Sequence, residues 1–220
     1  MTIRIGRSMP TENVALHWEA DDPYCWNGGT IFRDASGNSN MSYGGSPTLS
    51  TAKGYTSALL DGVDDYIQAQ HTTPAVPART ISMVYSLEGV QTTGRGPLWR
   101  VSDWRERIFV GSTTLIPNSG TYYNVSTGYG SFGTMHHHVY QYNGATMKGW
   151  GNGSLLSDIS TDSDMQANTS HFYRFGNQSG GSSNIYVDMH LFNVTFWDAA
   201  LTNEEVDLVW QRNSLKYGLV

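Results

Sequence analysis

The chain has 220 residues, with 13 Lys and Arg against 19 Asp and Glu, a formal net charge of −6 and no basic run, which excludes an electrostatic grip on a phosphate backbone, so nucleic acid is not an expected partner. Charged residues are only 15%, aromatics are 12% and glycines number 24, a balance that excludes coiled coil and charge-rich disorder and fits Gly-turned, aromatic-packed β structure. No stretch approaches the roughly 18–20 apolar residues of a membrane span, and the start, MTIRIGR, lacks the apolar run of a secretory signal, so neither a membrane partner nor self-export is expected.

Along the chain, short alternating or apolar runs recur between Gly, Ser, Asn and Pro clusters, the pattern of many strands joined by turns. The predicted strands are residues 14–19, 57–60, 66–70, 80–86, 97–101, 107–110, 122–125, 135–142, 147–150, 171–175 and 186–197. The class is all-β, with one exception near the end. There Thr202-Asn203-Glu204-Glu205 is a capping box, which predicts a short helix over 203–213. Val206, Val209 and Trp210 fall at i, i+3 and i+4, so this helix should lie on the sheets as a lid. The Gly-rich and polar stretches have the length of loops rather than linkers, so one domain over 1–220 is expected.

Local chemistry assigns several residues to structure. Asn143-Gly144 and Asn152-Gly153 supply the positive φ of tight hairpin turns and should each end one strand and start the next. The single cysteine, Cys25, rules out an intrachain disulfide and a Cys-based zinc site, and is read as a small buried residue. In Asp61-Gly62-Val63-Asp64-Asp65-Tyr66 the carboxylates are placed to bond turn N–H groups, with a calcium site as the alternative. His136 and His138 share a strand face with Cα atoms ~6.5–7 Å apart, a spacing that would bind zinc only with one or two more ligands from elsewhere, so a packing role is expected.

Four segments, in order, carry a resemblance to a known family: Phe32-Arg33-Asp34-Ala35-Ser36-Gly37-Asn38, Leu59-Leu60-Asp61-Gly62-Val63-Asp64-Asp65-Tyr66, His136-His137-His138-Val139-Tyr140-Gln141-Tyr142-Asn143-Gly144 with Gly151-Asn152-Gly153, and Phe196-Trp197-Asp198-Ala199-Ala200-Leu201 leading into the capping box. Together they resemble the concanavalin A-like lectin/glucanase superfamily in its laminin-G-like jelly-roll branch, over residues 14–217. The resemblance implies an antiparallel two-sheet jelly-roll sandwich with a short C-terminal helix. Leu16-His17-Trp18-Glu19-Ala20 through Asp34-Ala35-Ser36-Gly37-Asn38, with Lys216-Tyr217-Gly218 at the end, is most similar to versions in virion proteins of tailed bacteriophages.

That resemblance also implies a calcium position at the Asp-x-Ser-Gly-Asn loop, matched here by Asp34 and Asn38, with an acid early in the last strand. The acid's place falls on Phe192 and Asn193. Asp188 would replace it only with a shift of strand or loop, so no metal and no cofactor are expected. The family's glucanases carry Glu-x-Asp-x-Glu, which points both catalytic carboxylates into one cleft. No such run occurs here: Glu19-Ala20-Asp21 leads into Asp22-Pro23, Glu204 and Glu205 belong to the helix cap, and Glu106 lies between Arg105 and Arg107. A lyase-type set of Arg105, His171 and Tyr123 is the alternative that spacing does not test, and no enzyme is expected. Sugar binding rests on aromatic faces with amides and carboxylates around them. Trp26, Trp99, Trp104, Tyr122, Tyr123 and Tyr129 are the candidates, the last three in a Gly/Ser/Thr-rich stretch read as loop.

The expected function is non-catalytic: a structural component of a phage virion (capsid decoration, fibre or tail-associated), made in the host cytoplasm. It would be docked to other virion proteins as a homo-oligomer, with possible contacts to host glycans. A carbohydrate-binding module outside a virion is the alternative.

Overall fold

In the computed structural model, which describes residues 9–72, 78–90, 98–100, 106–109, 111–115, 123–128, 132–161, 170–180 and 183–220, the Gly- and Asn-punctuated pattern resolves into strands and a single helix. In chain order the strands are β1 (Val14–Glu19), β2 (Asn40–Gly44), β3 (Thr48–Ala52), β4 (Tyr55–Asp61), β5 (Tyr66–Thr72), β6 (Arg79–Val90), β7 (Leu98–Arg100), β8 (Glu106–Phe109), β9 (Gly111–Leu115), β10 (Tyr123–Gly128), β11 (Met135–Tyr142), β12 (Thr146–Gly151), β13 (Ser154–Ser160), β14 (Ser170–Phe175), β15 (Asn177–Gly180) and β16 (Ser183–Trp197), and the helix is α1 (Asn203–Tyr217). One sheet runs β13-β12-β11-β6-β16-β4-β3, with β1 and β15 also paired to β16, and the other runs β10-β9-β8-β7-β14-β5-β2. Paired strands are antiparallel, as in β11 on β6 and β14 on β5. The expected antiparallel two-sheet sandwich with a C-terminal helix is the fold the chain forms.

Period-2 alternation sorts β6 between two environments. Ile81, Met83, Tyr85 and Leu87 point between the sheets, where they meet Ile67 and Ala69 of β5 and Tyr173 and Phe175 of β14 in one core. The alternate residues Thr80, Ser82, Val84 and Ser86 are buried as well, because the outer face of this sheet is covered from the C-terminal side. Val139, Trp150 and Trp197 of the sheet pack there against Leu201, Val206 and Val209, and Val84 and Phe192 against Tyr217. A strand enclosed on both sides has no solvent-facing side, and its polar residues are buried too. Seven of the eight residues of β11 are buried, all three histidines among them.

The helix begins where the capping box places it. Thr202 Oγ1 accepts from Glu205 N–H at 3.2 Å, and the Glu205 carboxylate accepts from Thr202 N–H at 2.7 Å. It ends four residues beyond the expected 213, at Tyr217, where Gly218 takes the left-handed φ of 61° and donates to the Ser214 carbonyl. The extension follows from packing: the Tyr217 ring lies 5.8 Å from Phe192, so the last turn is held by the core. Val206 and Val209 are buried as predicted, and Asn213 and Tyr217 continue the buried stripe. Trp210 is only half-buried, its ring stacked 5.6 Å from His137 and fitted over Gly153, where a Cβ would stand 2.5 Å from the indole nitrogen. Replacing Thr202 with Ala is expected to cost about 1 kcal/mol, read as a lower denaturant midpoint at unchanged m-value.

A buried ion cluster ties α1 to β1. Glu19, 7% exposed, accepts from Arg212, from Lys216 at 2.7 Å and from Asn193 at 2.8 Å, while Lys216 also reaches Asp21 at 2.8 Å. Burial opposes the Glu19 charge, yet Arg212 and Lys216 outweigh it and hold the carboxyl down to about 2.

Each predicted strand has a counterpart, whereas β2, β3, β9, β13 and β15 were not predicted. Three of these end a sheet path, β13 and β3 in one sheet and β2 in the other, and with one exposed side they need little apolar alternation. Tyr123 opens β10 rather than standing in a loop. Along β16 the inward phase is Val187, Met189, Leu191 and then Val194, Phe196. A register shift between Leu191 and Asn193 re-phases the strand, and Phe192 turns outward beneath Tyr217.

Candidate binding site

Residues 20–39, between β1 and β2, contain no regular element yet are held at many points. Asp34 organises one end: its two oxygens accept five hydrogen bonds, from the N–H groups of His17, Ser36, Asn38 and Ser39 and from the Ser36 hydroxyl, at 2.6–2.9 Å. Asn38 Nδ2 donates to the Val14 carbonyl at 2.7 Å and Ser39 Oγ to the Ala15 carbonyl at 2.9 Å. The loop is therefore stitched to β1. The calcium position that the sequence resemblance implies does not fit these residues: Asp34 has its lone pairs engaged, Phe192 sits in the core, and Asn193 bonds Glu19. Asp188 lies elsewhere, opposite Asp61 in the β16–β4 register.

The other end of the loop is anchored by aromatic packing. Trp26 stacks on Phe32 at 4.5 Å, Phe32 meets Tyr43 at 5.1 Å, and Trp18 flanks it at 6.3 Å. The Trp26 indole donates to the Gly29 carbonyl at 2.7 Å, and its ring is 2% exposed. Trp26 is thus no sugar platform, a correction of the sequence-based expectation, because the ring is buried against Phe32 and the Gly29 carbonyl takes its N–H. Cys25 is buried as expected, and burial pushes its thiol up to about 11.

Because Cys25, Trp26, Phe32 and Asp34 turn inward, the residues beside and between them turn out. Tyr24 is 57% exposed, its backbone set by Asp22 Oδ1, which accepts the Tyr24 N–H at 2.9 Å. The Arg33 guanidinium leans over the Tyr24 ring, 5.5 Å from its centroid. With Asn27, Thr30 and Ile31 they line a cleft of about 240 Å³. An aromatic face, an amide, a hydroxyl and a guanidinium converge on one small concavity, which is the donor and stacking set that sugar hydroxyls and ring C–H groups require. Sequence reasoning passed over Tyr24 for its neighbour Trp26. The available signal was the position of Tyr24 after Asp22-Pro23, in a turn.

Of the remaining predicted platform residues, Trp99 lies on β7 and Tyr123 on β10, with β8 and β9 between them, about 14 Å apart at the usual strand spacing. The strand order does not bring this pair together. Trp104, Tyr122 and Tyr129 lie outside the described residues, as does Arg105; Glu106 opens β8 and His171 lies in β14.

A larger cleft of about 530 Å³ is lined by Asn13, Asn38, Gln70, His71 and Asp198, with His71 Nε2 3.0 Å from Asp198 Oδ1; apart from the imidazole it offers no ring to stack on. Asp61, Asp64 and Asp65 hold their carboxylate oxygens within 4.8 Å of one another. Two of the three are engaged by backbone N–H groups: Asp65 accepts from Ser46 N–H at 2.5 Å and Asp61 N–H at 3.2 Å, and Asp61 from Val63 N–H at 2.8 Å. The histidines are likewise engaged by neighbouring side chains, with His136 on Thr134, His137 on Ser82 and His138 on Tyr85, at 2.7–2.8 Å.

No known family model matches the chain, and no curated protein sequence matches it. Solved structures do. The binding domain of botulinum neurotoxin serotype D/C superposes with a TM-score of 0.69 at 14% identity, over 90% of this chain and 52% of that one. The binding domain of botulinum neurotoxin DC in complex with SialylT gives 0.69 at 15% identity, over 91% and 51%. Domain 4 of AbnA, an extracellular arabinanase from Geobacillus stearothermophilus, in complex with arabinotriose, gives 0.68 at 16% identity, over 89% of this chain and 97% of that domain. The chain spans about half the length of the neurotoxin binding domains. At such identities the likeness shows the fold alone.

Proposed function

We propose that residues 1–220 form one non-catalytic domain that binds carbohydrate at the Tyr24 cleft. The observation that carries this reading is the exposed Tyr24 ring, framed by Asn27, Thr30 and Arg33 on a loop nailed to the sandwich by Trp26 and Asp34. A rigid loop spends little entropy on ordering when a ligand arrives. The arabinotriose complex of the similarly folded AbnA domain supports it, since that domain is matched over nearly its whole length. A non-catalytic role is supported by the fate of the acids the chain places close together: Glu19 and Asp21 are taken by Lys216, and Glu205 by the helix cap. General acid/base hydrolysis of a glycoside needs two separated, free carboxyls.

The finer reading sets this domain in a tailed-bacteriophage virion, as a decoration, fibre or tail-associated protein made in the host cytoplasm, docked to other virion proteins and repeated as a homo-oligomer. It rests on the order of the sequence motifs from Leu16 to Gly218. Display in many copies converts weak single-site affinity into firm attachment. On a glycan array the multivalent protein is expected to retain sugars that Tyr24→Ala does not, without reducing-sugar release from any polysaccharide. Retention unchanged by Tyr24→Ala would remove the cleft from the reading, and turnover would replace the binding module with an enzyme. Absence of the chain from purified particles of a phage encoding it would overturn the virion setting.

A further inference from the structure

We infer that the Tyr24 cleft selects a sugar bearing a carboxylate, with Arg33 as the residue that reads the charge; this rests on the carbohydrate-binding reading above. The first ground is the unusual state of Arg33. Where side chains are described, Lys53, Lys148, Lys216 and Arg212 each pair with a carboxylate, and Arg79 and Arg174 each donate to a side-chain oxygen. Arg33 is exposed and touches the Tyr24 ring, and among the described residues no carboxylate lies within ion-pair distance of it. In a chain of net charge −6, an arginine with no carboxylate beside it among the described residues is a group kept available for an anion.

The second ground is the immediate setting. Asp34, next in sequence, does not neutralise Arg33: it is 4% exposed and its oxygens are filled by five donors from the loop and β1. Asp22 accepts the Tyr24 N–H on the other side. The cleft wall itself contains no acid, being formed by Pro23, Tyr24, Asn27, Gly29, Thr30, Ile31 and Arg33. The backbone beneath the guanidinium is fixed, because Arg33 N–H donates to the Cys25 carbonyl at 2.8 Å and Phe32 is locked under Trp26. A planar fork of N–H donors on a fixed base matches a carboxylate bidentately, while Tyr24 offers its ring to the apolar face of the pyranose. At about 240 Å³ the cleft is smaller than the roughly 300–1,000 Å³ of sites for drug-sized ligands, so it suits one terminal ring. Uronic acids and sialic acids share the required chemistry, a ring with a carboxylate on its rim.

The test is a chemical-shift titration of the full chain at low salt with three probes: a methyl glucuronide, a methyl sialoside and the neutral methyl glucoside. At least one acidic probe is expected to bind tenfold or more tightly than the glucoside, and which one does so identifies the source of the carboxylate. Arg33→Gln should bring the acidic probe to the level of the neutral one, Arg33→Lys should recover part of the difference, and neither should move the melting temperature of this exposed site. Tyr24→Ala should remove binding of all three. Equal affinity for acidic and neutral probes, or an acidic preference that survives Arg33→Gln, overturns the charge reading and leaves carbohydrate binding standing. Failure of every probe and of the glycan array overturns both.

Discussion

Lowering the pH from 7.5 to 5 is expected to remove about 4 kcal/mol of folding stability, through His137 and His138. Both rings are buried, at 1% and 2% exposure, on opposite faces of β11: His137 bonds Ser82 beneath Trp210, and His138 bonds Tyr85 in the core between the sheets. Burial pushes His137 down to about 3, and burial together with the neighbouring His136 and His137 does the same to His138. In the unfolded chain the same imidazoles titrate near pH 6.5. A lowered folded value means that the unfolded state takes up protons first. Stability is therefore whole above about pH 6.5 and falls progressively below it, down to the folded value near 3. Each ring contributes about 1.4 kcal/mol per pH unit in that window. His17 and His190, also lowered by burial, act in the same direction. The carboxylates cannot imitate this effect above pH 5: Glu19, held at about 2, loses its contribution only below about 4.5. Denaturant midpoints at pH 7.5, 6.5, 5.5 and 5.0 check the prediction, and a flat series would show that the two rings are hydrated rather than enclosed. A loss of this size is a large part of the roughly 5–15 kcal/mol that holds a domain together.

Trp26→Ala is expected to destabilise the fold by about 3–5 kcal/mol, whereas Tyr24→Ala should shift stability by no more than ~0.5 kcal/mol. The two aromatic residues are two positions apart and do opposite work. Trp26 fills the space between Phe32 and the loop backbone, and its indole N–H is the partner of the Gly29 carbonyl, so truncation leaves both a cavity and an unpaired acceptor. Tyr24 already faces water and loses little on truncation. The discriminating measurement is thermal or urea melting of the two variants beside sugar titration: Trp26→Ala should lose stability, and Tyr24→Ala should lose binding alone. A Trp26→Ala protein that melts like the parent but has lost its sugar would return Trp26 to the platform role.

Much of the fold was legible where local chemistry is self-sufficient. The capping box at Thr202 and Glu205 needs four consecutive residues and no tertiary partner. The Asn143-Gly144 and Asn152-Gly153 turns need only positive φ, and Asn143 Oδ1 secures the first by accepting from Ala145 and Thr146 N–H. Edge strands such as β3 and β13 were not legible, because a half-exposed strand writes little alternation into its residues. Leu155 and Leu156 of β13 are both exposed despite being adjacent and apolar.

By itself, then, the sequence determined the class, the tight turns, the helix start and the absence of paired catalytic acids in alternation, because each depends on residues close in the chain. Tertiary structure alone decided which face of each strand is dry. The helix lid made β11 buried on both sides, and the β16 bulge turned Phe192 outward onto Tyr217. It decided the site in the same way. Tyr24 and Trp26 are both aromatic and flank one cysteine, and nothing local separates platform from core. Only the closure of Trp26 onto Phe32, residues brought together when the loop folds back on β1, pushes Tyr24 and Arg33 to the surface side by side.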